Sequence, residues 1–222
     1  MLGTDSRPTC KNLWQALKVF CKDQLIKPMY LGRNDVISTE NQIYLVNDGK
    51  VMVCLRHGAG RLLGLEVLGA GSIIGAACLF GNSTSWIIKA LVPSTEVYAM
   101  GIAQVGQILA WDQNLLMELT ELIQQQARRV AGQLDTLLFQ KIPDRVAGQL
   151  LVLGRQHGKL VKNGMLIDCK LTHRDLAMLT GATRENVSLA LEDLERWGIL
   201  SLRRYEITIT DLPRLKEVAH WG

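Results

Sequence analysis

The chain has 222 residues, of which 48% are hydrophobic and 21% charged, and its formal net charge is +4. This composition is typical of a protein with a packed core, and the longest apolar runs fall well short of the roughly 18 residues that a membrane span requires. The first residues carry an acid and lack an apolar stretch, so they do not resemble a signal peptide, and a cytoplasmic protein without a membrane partner is expected.

The five cysteines are odd in number, widely scattered and without a C-x-x-C pair. This pattern argues against a disulfide framework and against a structural zinc site, so no metal site is predicted. The first 140 residues hold 12 Lys and Arg against 11 Asp and Glu, whereas residues 141–222 hold 13 against 10. The mild basic bias of the second part permits nucleic-acid binding without demonstrating it.

The first part of the chain predicts a short helix followed by a β domain. Residues 12–22 place Leu13, Leu17 and Phe20 at helical spacing. Across residues 30–100, short runs rich in Ile, Val and Leu alternate with Asp-Gly and other glycine turns. Closely spaced strands of this kind predict an antiparallel sandwich or barrel.

Residues 111–140 contain one glycine and no proline, which predicts a long helix. Apolar side chains recur along it at heptad spacing, and such a narrow seam suits a partner helix. A second row, Leu115, Leu119 and Leu122, is available to pack on the β part, so two surfaces are needed to cover the two rows. The seam predicts a homodimer, with an intramolecular core helix as the alternative. The seam residues are Leu116, Ile123, Ala127, Val130, Leu134 and Leu137.

Pro143 would end the long helix and suits the first turn of another, so a hinge is expected near residue 140 and a new helix over residues 144–157. The expected domains are therefore an effector domain over residues 1–110, a dimerisation helix over residues 111–140 and a C-terminal domain over residues 141–222.

Residues 171–197 match the layout of a helix-turn-helix. Thr172 is expected to cap the first helix, Gly181 to supply the turn and Thr183 to cap the second helix. After the second helix, a short β-hairpin with Arg203 and Arg204 at its tip is placed like a wing that touches phosphate, although a solvated basic turn is the alternative.

The second helix of this motif directs Arg184, Glu185, Ser188 and Leu189 outward. Arg pairs with guanine and Glu accepts from the cytosine amino group when a recognition helix enters the major groove. The alternative for Arg184 and Glu185 is a solvated helix N-terminus, where the helix dipole favours an acid.

The order of these parts resembles the cyclic-AMP receptor/fumarate–nitrate reductase regulator (CRP/FNR) superfamily of bacterial transcription factors. The segments that carry the resemblance are IYLVNDGKVMVCL, GLEVLGAGSIIG, LLFQKIPDRVAGQLL and LTHRDLAMLTGATRENVSLALEDLE. It implies an α+β fold with an N-terminal antiparallel β-roll, a long dimerisation helix and a C-terminal winged helix-turn-helix.

The resemblance also implies a homodimer on double-stranded DNA with a two-fold-symmetric operator, and contact with RNA polymerase. Arg184 and Glu185 fall on base-reading positions of the family, and Ser188 matches a reading position of the fumarate–nitrate regulator branch. Two residues depart from the pattern: Leu189 stands where many members have Arg, and Glu192 replaces a residue that is often basic.

The segment GAACLFGNSTSW, residues 75–86, aligns with the phosphate-binding loop of the family. Cyclic-nucleotide binders hold a Glu and an Arg-Ser pair there, where this chain has Ala76, Thr84 and Ser85. Neutral side chains do not offset the desolvation of a phosphate, so cyclic AMP is not expected, which favours a branch with other effectors. The expected pocket is lined by Ala76, Ala77, Cys78, Leu79, Thr84, Ser85, Trp86, Val130 and Ala131.

Three interpretations of this pocket stay open. It binds a small apolar or aromatic molecule or haem, with Cys78 or His57 as the candidate axial ligand. Alternatively Cys78 or Cys54 senses redox state, or side chains fill the pocket and there is no effector. A cupin-like metal enzyme is an alternative of another class, but only one of the four histidines lies in the β part. No catalytic residue is therefore assigned and an enzyme is not expected.

Overall fold

A computed structural model describes residues 12–39, 41–58, 60–80, 86–110 and 112–219. The chain forms two compact units, one from the described parts of Met1–Val51 and Leu68–Arg128, the other from those of Met52–Val67 and Arg129–Gly222. The fold is α+β, with antiparallel β-sheets in the N-terminal part, a long helix and a C-terminal winged helix-turn-helix, as predicted.

The helices are α1 (Leu13–Asp23), α2 (Ile102–Leu109), α3 (Gln113–Phe139), α4 (Ile142–His157), α5 (His173–Thr180), α6 (Arg184–Arg196) and α7 (Leu212–Val218), with a 3₁₀ helix at Ala76–Phe80. The strands are β1 (Met29–Leu31), β2 (Val36–Ser38), β3 (Gln42–Asp48), β4 (Lys50–His57), β5 (Arg61–Gly69), β6 (Ile73–Ile74), β7 (Trp86–Ala90), β8 (Thr95–Gly101), β9 (Gly158–Val161), β10 (Gly164–Ile167), β11 (Leu200–Arg203) and β12 (Glu206–Ile209). Within the described ranges, no helix is both long enough and apolar enough to cross a membrane.

In the first unit, one sheet has the strand order β1-β8-β3-β6, and β2 pairs with β7. The apolar faces of β3 and β8 meet helices α1 and α2 in one core cluster. Helix α1 begins where predicted, because the Asn12 side chain accepts from the Gln15 N–H. The Leu13 N–H of its first turn donates to Glu118 on α3 at 2.7 Å, which fixes α1 against the long helix.

The second apolar row of the long helix behaves as predicted. Leu115 and Leu119 are buried in the core cluster with α1, and Leu122 packs against the same cluster. Burial of this row anchors the first half of α3 to the first unit, since each fully buried leucine contributes about 1.5–3 kcal/mol.

In the second unit, helices α4 and α6 pack on a sheet with the strand order β11-β12-β10-β9, and α5 packs against these two helices. Helix α4 carries Pro143 in its first turn, as expected, and begins two residues before the predicted start. Strands β9 and β10 and helix α7 were not predicted from the sequence. The hairpin of β4 and β5 contributes most of its residues to this unit.

Two glycines just before the 3₁₀ helix give a matched test of this backbone. Gly71 and Gly75 have φ values of 90° and 85°, which residues with a side chain rarely adopt. A Cβ added at Gly75 would lie 2.6 Å from the Gln42 carbonyl oxygen, whereas one at Gly71 would meet nothing within 4 Å.

We therefore expect Gly75→Ala to lower the free energy of unfolding by about 1–3 kcal/mol more than Gly71→Ala. Both substitutions place a side chain on a left-handed backbone, but only Gly75→Ala also forces strand β3 to move. Urea denaturation of both variants measures the difference. Equal losses would contradict the close approach of Gly75 to β3.

Candidate nucleic-acid interface and effector segment

The first helix of the helix-turn-helix is held by a reciprocal cap. The Thr172 N–H and hydroxyl donate to the Asp175 carboxylate at 2.8 and 2.6 Å, and the Asp175 N–H donates back to the Thr172 hydroxyl at 3.1 Å. Asp175 is buried. The predicted cap at Thr172 is thus confirmed and takes the form of a capping box, and Thr172 lies at the entrance to the motif with its hydroxyl already engaged.

The turn between the two helices depends on Gly181, which has a left-handed φ of 60° and closes α5. A Cβ at this position would lie 2.5 Å from Leu137 of α3. The turn therefore approaches the long helix closely, and the role predicted for this glycine is confirmed. Thr183 caps α6 by accepting from the Asn186 N–H at 3.2 Å.

Helix α6 has one buried and one exposed face. Its buried stripe is Val187, Ala190, Leu191 and Leu194. Arg184 and Glu185 are exposed in the first turn, and the side chain of Leu189 is 60% exposed. An exposed leucine on a helix with a complete buried stripe has no role in the core, so this face is available to a partner.

Ser188 differs from the other predicted contact residues, because it is half-buried and its Oγ lies 2.7 Å from Nδ1 of His173 on α5. This pair was not predicted from the sequence. The hydroxyl of Ser188 is therefore oriented by a neighbouring helix, and His173 joins the candidate interface as a positioning residue.

The predicted wing is the hairpin of β11 and β12, in which Arg203 and Glu206 are opposite each other in the backbone register of the two strands. Arg203 and Arg204 are exposed at its tip. The Arg204 guanidinium lies 5.4 Å from the ring centroid of Tyr205, a residue with a left-handed φ of 61°. The tip thus presents two cations in a tight turn.

A further exposed arginine, Arg174, belongs to the same surface and was not predicted. Together with Arg61 and Arg184 it lines an open groove of about 850 Å³ beside the first turn of α6. The signal in the sequence was a basic residue in the first turn of α5, and exposed cations in such a position suit phosphate.

The candidate effector segment, residues 75–86, contains the 3₁₀ helix Ala76–Phe80. Ala76 is fully buried in the core cluster of the first unit, and Leu79 packs against it. The Cys78 thiol is buried and donates to the Thr39 carbonyl, with Sγ and O 3.7 Å apart. This part of the predicted pocket is apolar, and its one polar side chain has an internal partner.

The other predicted pocket residues are dispersed. Trp86 begins β7 and is half-buried, whereas Thr84 and Ser85 lie outside the described residues. Val130 and Ala131 lie on α3 within the second unit. The structure thus groups residues 76–79 and leaves the rest of the predicted lining as an expectation.

The residues present do not fit a haem. Burial raises the pKa of the Cys78 thiol, which disfavours the thiolate that binds iron. His57 is exposed at the end of β4. Among the described residues, no group of three His, Cys, Asp or Glu side chains could hold a metal ion.

The predicted seam residues of α3 differ in burial. Leu116 and Leu134 are exposed, with 47% and 54% of their surface accessible. Ile123 packs against the core cluster of the first unit, and Leu137 lies beside Gly181 in the second. Ala127 is exposed and Val130 half-buried. Apolar side chains are thus exposed near both ends of the helix.

Comparison with known proteins identifies relatives along most of the chain. The profile of the Crp-like helix-turn-helix domain matches residues 144–218. The CRP-like cAMP-activated global transcriptional regulator of Mycobacterium tuberculosis is 25% identical over 86% of this chain and 87% of its own length. The cyclic AMP receptor protein of Thermus thermophilus is 28% identical over 80% of this chain and 79% of its own length. A CooA mutant structure from Carboxydothermus hydrogenoformans, 22% identical, covers 96% of this chain and 98% of its own with a TM-score of 0.76.

The winged helix-turn-helix with its exposed second helix, together with these relatives, defines a DNA-binding transcription regulator and not an enzyme. Residues 144–218 form a Crp-like helix-turn-helix domain, and the chain as a whole is similar to CRP-type transcription regulators.

The buried cysteines allow a direct test of thiol reactivity. Burial raises the pKa of Cys21 to about 11 and raises that of Cys78, while Cys54 and Cys169 are also buried. Because the thiolate is the nucleophile, we expect iodoacetamide at pH 8 to alkylate these four thiols at least about tenfold more slowly in the folded protein than in urea. Peptide mass spectrometry measures each rate. Rapid alkylation of Cys78 in the folded protein would contradict its burial and revive the redox interpretation.

Proposed function

We propose that the protein is a homodimer that binds a two-fold-symmetric operator and reads it with the first turns of its two α6 helices. The observation that carries this proposal is the exposed pair Arg184 and Glu185 at the N-terminus of α6, beside a wing that exposes Arg203 and Arg204. In a helix-turn-helix these positions face the base edges and the phosphates respectively.

Arg184 and Glu185 supply complementary chemistry for one G·C pair in each half-site. The guanidinium donates to two guanine acceptors, and the carboxylate accepts from the cytosine amino group. Phosphates repel a carboxylate, so an exposed acid on this face favours base reading. Leu189 is proposed to contact a thymine methyl group. The hydroxyl of Ser188, held by His173, is a third polar contact.

The remaining predicted contacts position the protein on the DNA backbone. Arg203 and Arg204 of the wing are proposed to bind phosphates, as is Arg174. Thr172 and Thr183 cap the two helices, and their neighbouring backbone N–H groups lie at helix N-termini, which favour anions. These contacts add affinity without sequence preference.

Replacing Glu185 with Ala tests the base-reading assignment. We expect the variant to lose its preference at one base pair per half-site, by about 1–3 kcal/mol, because the cytosine amino group loses its acceptor. Glu192→Ala, an exposed acid further along the same helix, is the control, and it should strengthen binding to all sequences alike by removing repulsion from phosphate. Binding to a library of single-substituted operators measures both. Unchanged preference at every position in Glu185→Ala would overturn the assignment.

The homodimer is proposed to form along the seam of α3. The exposure of Leu116 and Leu134, and of Leu138 and Phe139 at the end of the helix, supports a partner surface. Exposed leucines at heptad spacing are buried when a second helix packs against them. The proposed domains are the effector part over residues 1–110, the dimerisation helix over 111–140 and the DNA-binding part over 141–222.

The effector of the β-roll is proposed to be something other than a cyclic nucleotide, in a small apolar or aromatic class. Ala76 is fully buried among apolar side chains and offers no polar group, and Cys78 uses its thiol on Thr39. Neither residue neutralises a phosphate. A ligand here would shift the population of α3 positions near Val130 and Ala131, and the hinge at residues 139–143 would transmit the change to α6.

Two variants of this proposal have less support. The burial and raised pKa of Cys78 weaken the thiol-sensing interpretation. A regulator without an effector is favoured only if the apolar core around Ala76 admits no ligand. The proposed setting in each case is the bacterial cytoplasm, with RNA polymerase as a further partner.

Cyclic AMP provides the test of the effector class. We expect the melting temperature of the protein to stay unchanged in 1 mM cyclic AMP, because neither Ala76 nor Cys78 neutralises its phosphate. A ligand that bound at 100 times its Kd would add about 2.7 kcal/mol of stability, so binding would be visible as a higher melting temperature. The cAMP-activated relative from Mycobacterium tuberculosis serves as the positive control. A rise of several degrees for this protein would overturn the proposed class.

A further inference from the structure

A cavity of about 260 Å³ lies within the second unit, apart from the segment at residues 76–79. Strand β5 forms one wall at Leu65–Val67, and the second half of α3 forms another. Helix α4 and the end of α5 at Leu179 and Thr180 complete it. The cavity therefore touches strand, long helix and helix-turn-helix within a single compact unit. Pockets for drug-sized ligands span about 300–1,000 Å³, so this one suits a small metabolite.

Two of the charged groups that line the cavity neutralise each other. Glu66 of β5 is only 8% exposed and forms an ion pair with Arg129 of α3. Burial raises the pKa of Glu66, and the positive charge of Arg129 opposes that rise. The pair fixes strand β5 to the long helix and leaves no net charge on this wall.

The third charged group, Arg145 of α4, has no such partner. Its Nε is buried without a hydrogen bond, and no described carboxylate pairs with its guanidinium. A buried guanidinium donor without an acceptor is unfavourable, and the structure retains it where it lines a cavity. The Nε edge of arginine matches a carboxylate, which accepts two parallel hydrogen bonds.

The rest of the lining combines amides with apolar side chains. Gln149 and Gln156 of α4 contribute amides that form no hydrogen bond within the described structure. Gln133 of α3 donates to the Leu179 carbonyl at 2.7 Å and lies 3.5 Å from that of Gly64. Val67 and Val152 supply apolar walls. Such a lining accommodates an uncharged body that carries one or two polar groups.

We propose that this cavity binds a small organic carboxylate, with the carboxylate on Arg145 and the body of the ligand between the glutamine amides and the valines. The site is additional to the effector segment in the β-roll. Because Glu66 and Arg129 neutralise each other, the net charge of the described lining is the positive charge of Arg145.

Occupation of this site would affect DNA binding. The Gln133 amide joins strand β5 to the last turn of α5, and Leu137 of α3 meets Gly181 in the following turn. A carboxylate on Arg145 would add α4 to this set of contacts. The ligand therefore stabilises one placement of the helix-turn-helix against α3 and β5 over others.

Matched probes test the charge requirement. The full-length protein is titrated calorimetrically with 4-hydroxybenzoate, N-acetylalanine and lactate, and with the corresponding amides, which lack the charge. We expect at least one carboxylate to bind and its amide to bind at least about tenfold more weakly. Inorganic phosphate is titrated as well, and binding of phosphate alone would overturn the assignment to carboxylates. Binding of none of the probes, or equal binding of acid and amide, would overturn the site.

Two variants locate the binding. Arg145→Gln removes the charge and should weaken the carboxylate at least about tenfold, whereas Arg155→Gln, an exposed arginine on the same helix outside the lining, should leave it unchanged. Gly132→Leu keeps every charge but places a side chain where an added Cβ meets nothing within 4 Å, and leucine favours the helix. It should abolish binding while the melting temperature is retained. Binding that survives both Arg145→Gln and Gly132→Leu would overturn the proposal.

Discussion

The structure depends on how the apolar and polar side chains of α3 are covered along its length. In the first unit, Leu115 and Leu119 are buried in the core with α1. In the second unit, the helix offers polar groups instead, since Gln133 donates to backbone carbonyls of α5 and β5. Exposed leucines remain on other sides, among them Leu134 and Leu138. One helix therefore belongs to both units and retains an apolar surface, which the second copy of the proposed homodimer would cover.

The buried polar groups of this protein differ in whether their hydrogen bonds are satisfied. Asp175 is buried but fully used by the cap of α5, and the Glu66–Arg129 pair joins β5 to α3. Arg145, by contrast, retains a buried donor that finds no acceptor among the described residues. Satisfied groups fix one arrangement of the chain, whereas an unsatisfied one marks a place where a ligand adds stability.

Local signals made much of the fold predictable. The helix-turn-helix was predictable from Thr172, Gly181 and Thr183, because caps and left-handed turns depend on a few neighbouring residues. Contacts between distant residues were not predictable: Ser188 and His173 meet only through the crossing of α5 and α6, and Glu66 meets Arg129 across 63 positions. Strand β9 was missed because its four residues are all exposed, so no burial pattern distinguishes them.

The most direct measurement is selection of bound sequences from a random double-stranded DNA library by the full-length protein. We expect an inverted repeat whose half-sites are centred about 10 bp apart, or a multiple of that distance, with a G·C pair at the same position of each half. A single unrepeated motif would contradict the two-fold dimer on which the proposed function rests, and so would a direct repeat.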